Sequence, residues 1–278
     1  MALLPRIRAV GTAVPERQFD QPTLADLLGY RDSLRRGFFL RSGIDTRHLY
    51  VTASDPRPDE DVDVLAARFQ EASRSLGVTA VIACLDLAGL TVGDVDFLAT
   101  TTCTGRLCPS LDAHLMRDLG FRPDAQRVHV GDTGCASAMV ALQQGWNHVQ
   151  AFPGHRALAV SVEVCSATYF VDDDAETAVA NAIFADGAAA GEGEAHPVQV
   201  LGADQGPVAD HRVRLSPDVR RIAPAMMEEL ADRLLKDHGL ERSDIRLWVL
   251  HSAGRRVIEH AQATLGLTDH DVAEDMLP

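Results

Sequence analysis

One cysteine lies where chemistry is easily built. Cys135 lies within the run Arg127-Val-His-Val-Gly-Asp-Thr-Gly134-Cys135-Ala-Ser-Ala-Met-Val-Ala-Leu, in which a polar-ended strand turns through glycine into an apolar helix. The first turn of a helix has unpaired N–H groups and a partial positive charge, and both favour a thiolate and the oxyanion formed when it attacks a carbonyl. A free cysteine is also among the most buried residue types, so core packing is the competing reading. His251 is the second reactive type, placed at the end of the apolar run 247–250. An imidazole there acts either as a hydrogen-bonded structural group or as a proton donor.

Those residues must be carried by a folded scaffold, and the composition allows one. The chain has 278 residues, 46% hydrophobic and 24% charged, enough for one large unit or two ordinary halves. The amino-terminal apolar run is too short for a signal peptide, and longer apolar stretches are broken by charge or glycine before membrane-spanning length. A soluble cytoplasmic protein without a membrane partner is expected. Five scattered cysteines (84, 103, 108, 135, 165) contain no Cys-x-x-Cys pair, so reduced thiols are expected rather than disulfides or a metal site. The net charge of −14 argues against nucleic acid as a partner. An anionic ligand would need a local basic patch, and Arg35, Arg36 and Arg41 offer one; the same three also fit a solvated helix face.

A weak internal repeat organises the rest. Ala88-Gly-Leu-Thr-Val-Gly-Asp-Val-Asp-Phe-Leu-Ala-Thr100 aligns with His238-Gly-Leu-Glu-Arg-Ser-Asp-Ile-Arg-Leu-Trp-Val-Leu250 at a constant offset. Each copy reads as a helix end, a turn and a buried strand, and helices are predicted before them (64–87 and 222–235) and after them (111–120 and 255–266). Residues 127–130 and 157–163 are predicted as strands, 135–151 as a helix, 182–190 as a strand interrupted by a tight turn, and 191–197 and 203–207 as surface loops. Alternation of strands and helices predicts a layered α/β protein.

At this level of detail the chain resembles the type III polyketide synthases, the chalcone and stilbene synthase family. The resemblance runs from Val10-Gly-Thr-Ala-Val-Pro to about Val272. It is most specific at Arg41-Ser-Gly-Ile-Asp-Thr-Arg-His-Leu-Tyr50, Gly134-Cys135, Phe184-Ala-Asp-Gly187 and His251-Ser-Ala-Gly254. Residues 249–254 and Glu163-Val-Cys-Ser-Ala look nearest to bacterial members of the family.

The resemblance implies a thiolase-like duplicated α-β-α-β-α layered fold, with residues 1–190 as the half bearing Cys135 and 191–278 as an incomplete half bearing His251. It implies Cys135 as the nucleophile loaded by an acyl-CoA starter and His251 as its partner, donating to the thioester carbonyl of malonyl-CoA. Phe184 matches the gatekeeper between coenzyme A tunnel and cavity, and Arg41 a contact to the coenzyme A phosphates. Cys103, Thr104, Cys108, Glu163, Cys165 and Thr168 match cavity-shaping positions, and Gly254 belongs to the histidine motif. Coenzyme A thioesters are implied as substrates, with no resident cofactor, and the protein is implied to be a homodimer.

Two departures from the family pattern stand beside this. Its C-terminal asparagine, in a Gly-Asn-(Met/Leu)-Ser-Ser segment, has no counterpart before Pro278, and the stretch between Gly187 and Val213 is short. Two alternatives therefore remain open: a condensing enzyme like β-ketoacyl-acyl-carrier-protein synthase III, and a catalytically degenerate homologue that binds acyl-CoA. The histidine motif favours the polyketide branch over the first.

Overall fold

The strands are β1 (Ile7–Ala13), β2 (Gln18–Asp20), β3 (Thr46–His48), β4 (Phe97–Thr102), β5 (Gln126–Gly131), β6 (Ala157–Val164) and β7 (Asp186–Gly193), of which β6 is the most apolar. The helices are α1 (Gln21–Leu27), α2 (Ser33–Leu40), α3 (Val62–Ala88), α4 (Leu111–Leu119), α5 (Ser137–Ala151), α6 (Ala175–Ile183), α7 (Val219–Asp237) and α8 (Arg255–Leu265). The computed structural model describes residues 5–51, 60–131, 133–193, 219–251 and 255–272. Their contacts define one unit within Met1–Phe19, Arg47–Tyr169 and Ala185–Arg212, and a second within Asp20–Thr46, Phe170–Phe184 and Val213–Pro278.

The first unit is built on a mixed five-stranded sheet in the order β1-β7-β6-β4-β5. Strands β6, β4 and β5 run parallel, and β7 runs antiparallel to both β6 and β1. Strand β6 shows how its two faces are matched. Leu158, Val160, Val162 and Val164 join α3 and α4 residues such as Leu76, Val81 and Leu115 in one core, while Ala157 and Ala159 pack with Phe97, Ala99 and Ala141 against α5. A strand covered on both faces is shielded from water at every position, and β4 is accordingly buried from end to end, its threonines 100–102 included. Large residues face the long α3, whereas small ones admit α5. A Cβ on Gly145 of α5 would stand 3.3 Å from the Ala157 Cβ.

Strand β1 lies closer still to α3. The approach occurs at Gly11, where an added Cβ would fall 2.2 Å from the Cys84 backbone nitrogen and 2.5 Å from the Ala80 carbonyl oxygen. Glycine alone allows backbone to meet backbone at that separation.

The internal repeat is visible as repeated local geometry. After α3 and α7 the chain turns at Gly89 (φ 67°) and Gly239 (φ 65°), with Leu90 N–H donating to Leu85 O and Leu240 N–H to Leu235 O. Each turn leads into a 3-10 segment, Val92–Asp94 or Arg242–Asp244, whose aspartate accepts the N–H of Thr91 or Glu241. The extended residues that follow differ. Phe97–Thr102 becomes a central strand, while in the second copy Trp248 makes a parallel bridge to Val272.

Three sequence expectations change at this point. Residues 182–183 finish α6 instead of starting a strand, because Asp174 caps that helix by accepting from Glu176 N–H and its alanine-rich face is buried. Residues 191–193 belong to β7 rather than a loop, since their backbone groups pair with β1 and β6. In the expected buried strand at 247–250, Leu250 is buried but Leu247 and Val249 are 55% and 73% exposed. The expected loop residues 194–197 and 203–207 lie outside the described residues. Among the described residues no helix is long and apolar enough to cross a membrane, and no group of three metal-ligating side chains converges.

Candidate active site

Parallel strands bring their carboxyl ends to one edge of a sheet, where α/β proteins place their ligands. Here those ends are Thr102 on β4, Gly131 on β5 and Val164 on β6. Cys135 follows β5 in a 3-10 turn, Gly134–Ala136, that enters α5. Gly134 takes φ 64°, a left-handed conformation that turns the chain sharply into the thiol-bearing residue. The cysteine is exposed, whereas Ser137 at the start of α5 is buried.

Glu163, one residue before the end of β6, is the centre of the polar network on this edge. Its carboxylate accepts from Cys103 N–H at 3.0 and 3.1 Å, from Thr104 Oγ1 at 2.8 Å and from Thr102 Oγ1 at 3.4 Å. Thr104 Oγ1 in turn lies 2.8 Å from Val164 N–H, which donates to it. Residues sixty positions apart are thereby tied into one wall. Burial raises the Glu163 pKa above the ordinary carboxylate value, with the hydrogen bonds to Thr104 and Cys103 opposing it.

The same environment acts on the thiol. Protein packed around Cys135, followed by the negative charge of Glu163, raises its pKa, and the backbone N–H of its own turn lowers it only in part. A thiolate favoured by the helix end was the sequence expectation; desolvation and the neighbouring carboxylate outweigh that effect here. Cys165 experiences stronger burial, and the charges of Asp186, Glu163, Cys103 and Cys135 all reach it. Replacing Glu163 with glutamine removes a charge while keeping an acceptor for Cys103 N–H. Iodoacetamide alkylation of Cys135 is then expected to reach half its maximal rate about one pH unit lower, in the alkaline range where Glu163 is ionised. An unchanged pH–rate profile would mean that Glu163 does not act on the thiol.

The sequence-selected residues of this unit thus fall into two sets. Cys103, Thr104, Glu163, Cys135 and Cys165 are joined by hydrogen bonds or by direct electrostatic influence, and Thr168 is linked to Cys165 through its hydroxyl, which donates to Cys165 O at 2.8 Å. Cys108 is exposed, on the segment after β4, and has no hydrogen bond to that set among the described residues.

Within the second unit, Arg41 is the C-cap residue of α2, and its guanidinium lies over Gly37, where a Cβ would stand 2.5 Å from Nη2. Arg35 is engaged by Asp32, by Asp173 and by the Asp172 carbonyl, and Arg36 by Asp26. Much of the charge expected of a basic patch is therefore neutralised within the unit, and Arg41 makes no ion pair among the described residues. Phe184 caps α6, donating its N–H to Ala180 O. His251 is exposed at the end of the extended segment, with surrounding protein that lowers its imidazole pKa by disfavouring the charged form. Gly254 lies outside the described residues.

Residues 34–191 match the family described as FAE1/Type III polyketide synthase-like protein, which is more than half of the chain. The chain belongs to the type III polyketide synthase family. Among its relatives is 3,5-dihydroxyphenylacetyl-CoA synthase of Amycolatopsis balhimycina, 35% identical over 96% of this chain and 78% of the relative. The 1,3,6,8-tetrahydroxynaphthalene synthase of Streptomyces peucetius subsp. caesius is 31% identical over 95% of this chain and 77% of its own length. The type III fold is matched by the crystal structure of PKS-I from the brown alga Ectocarpus siliculosus, with a TM-score of 0.86 and 26% identity over 98% of this chain and 83% of that one.

In this type III polyketide synthase family member, sequence reasoning assigned no role to the polar residues behind the site edge. Arg68 of α3 donates to Ser166 O at 2.8 Å and forms a buried ion pair with Glu60. Asp186 collects three donors from two segments, Ser166 and Tyr50. Its place in the Phe184-Ala-Asp-Gly187 motif was the available signal. Nothing local marked Arg68, because its Ser166 partner is 98 positions away.

Proposed function

We propose that this protein is a condensing acyltransferase that extends an acyl-CoA starter with malonyl-CoA. The observation that carries this reading is the accessible Cys135, presented by the Gly134 turn at the carboxyl ends of the parallel strands of a mixed sheet in a chain of the type III polyketide synthase family. Cys135 sulfur attacks the starter thioester carbonyl, the carbonyl carbon passes to sulfur, and coenzyme A leaves as its thiol. Malonyl-CoA then loses carbon dioxide, and the resulting enolate carbon attacks the Cys135 thioester. A carbon–carbon bond forms as the carbon–sulfur bond breaks, returning the thiol for another round.

The raised pKa of Cys135 means that its proton must be removed during loading, which is a role for a neutral imidazole. His251 is assigned this role, since its lowered pKa favours the neutral ring, and the same ring is then assigned to donate to the malonyl thioester carbonyl. Arg41 is assigned to the coenzyme A phosphates and Phe184 to the passage between coenzyme A and cavity. Cys103, Thr104, Cys108, Glu163, Cys165 and Thr168 are assigned to the cavity wall, and Gly254 to the histidine turn. Residues 1–190 and 191–278 are taken as the two halves of a duplicated thiolase-like fold, acting as a homodimer. The relatives' names describe aromatic products with oxygens on alternate carbons, the pattern left by a chain of β-ketones. A product of that class is therefore proposed for this chain.

Intact-mass measurement after incubation with a panel of acyl-CoA thioesters tests the reading. A mass gain equal to the acyl group, located on Cys135, is the expected result; no adduct with any starter would instead support a protein that only binds acyl-CoA. His251→Ala separates the two steps. It is expected to lower malonyl-CoA decarboxylation about 10²- to 10³-fold, the usual cost of losing an oxyanion donor, and acyl loading by less. Equal losses in both steps would remove the donor role from His251.

A further inference from the structure

Every polar backbone and side-chain group of Ser166 is engaged, and Asp186 holds two of the three. Ser166 N–H donates to Asp186 Oδ1 at 2.7 Å, Ser166 Oγ to Asp186 Oδ2 at 2.6 Å, and Ser166 O accepts from Arg68 at 2.8 Å. The same Oδ2 accepts from Tyr50 N–H at 2.6 Å. Asp186 is the first residue of β7 and pairs with Val164, the last of β6. One carboxylate therefore joins the start of β7, the segment after β3, and the turn Cys165–Thr168 that leaves β6 two residues beyond Glu163.

Such an arrangement exceeds what stability of the sheet requires. Strands β6 and β7 are already paired along their length, and Ser166 is fully buried beyond the ladder. Three donors converge on two oxygens of Asp186, and asparagine would direct an N–H₂ group at one of them. Arg68 holds the turn at the Ser166 carbonyl, and its own charge is balanced by buried Glu60.

We infer that Asp186 is a positioning residue, whose carboxylate fixes the Cys165–Thr168 turn as a rigid wall of the acyl-accepting site and so limits which acyl groups are accepted. This rests on the reading of Cys165 and Thr168 as cavity residues. Asp186 acts through Ser166 and touches no reacting atom. A turn held this way keeps its shape while acyl chains of different size are tried against it.

Thiol labelling tests the clamp without relying on activity. Cys165 sits in the clamped turn, and Cys84 lies fully buried in α3 against β1, so the second reports opening of the whole core. In Asp186→Asn, iodoacetamide labelling of Cys165, resolved by peptide mass spectrometry, is expected to accelerate about tenfold or more relative to Cys84. Ser166→Ala, which loses one hydrogen bond and keeps the N–H contact, is expected to give a smaller rise of about threefold. It also supplies the test if the asparagine variant does not fold. Equal acceleration at Cys165 and Cys84, or an unchanged ratio, would overturn the clamp.

Starter preference tests the second part of the inference. The ratio of Cys135 loading rates for a long and a short acyl-CoA is expected to shift at least threefold in the variant that shows the labelling change. An unchanged ratio alongside accelerated Cys165 labelling would overturn the role in acyl selection. Absence of any acyl adduct on the unaltered protein would instead overturn the acyltransfer reading and, with it, the role in selection, while the labelling ratio still decides the clamp.

Discussion

Cys135→Ala is expected to abolish acyl loading and product formation while leaving the fold intact. The residue occupies an exposed 3-10 turn, so truncation removes little packing, and stability should change by no more than about 0.5 kcal/mol. Loss of a covalent nucleophile, in contrast, typically costs on the order of 10⁴- to 10⁶-fold in turnover. Intact mass with acyl-CoA and thermal unfolding of the same sample measure the two effects together. A variant that still condenses at the parental rate would show that the thiol is not the nucleophile. A variant that loses activity only because it unfolds would give the cysteine a packing role that its exposure does not suggest.

Gly11→Ala should have the largest effect on stability. Its new methyl group would meet the Cys84 nitrogen and Cα at 2.2 and 2.7 Å and the Ala80 oxygen at 2.5 Å. All three are backbone atoms of α3, which cannot rotate away as a side chain can. Overpacking a core usually costs about 1–3 kcal/mol, and backbone overlap places this site at or beyond the upper end. A loss of about 3 kcal/mol corresponds to a fall in Tm of about 6–12 °C for a chain somewhat under this length. Gly145→Ala is a useful comparison, because its Cβ would meet only the Ala157 Cβ at 3.3 Å, a contact that a few tenths of an ångström can relieve. Similar Tm values for the two variants would mean that β1 moves away from α3 at little cost.

The sequence by itself determined the alternation of helices and strands from α3 to β6 and the residue types at the site. The glycine-to-helix turn at Cys135, the paired turns at Gly89 and Gly239 and the strands at 127–130 and 157–163 depend on neighbours only a few residues away, and local rules read such features well. The family resemblance was legible for the same reason, since its motifs are short and contiguous, and residues 34–191 bear it out.

Tertiary structure decided whatever depended on distant partners. Residues 182–183 ended a helix because Ala178, Ala180 and Ala182 are buried on α6, although the β-branched Ile183 also suits a strand. Arg35 lost its place in a basic patch to Asp173, 138 positions away, and the pKa of the Cys135 thiol was raised by desolvation and by the Glu163 carboxylate on β6. Asp186 gathers Tyr50 and Ser166 from different parts of the chain. Burial and charge are properties of the space around a residue, and folding fills that space with segments that local pattern cannot name.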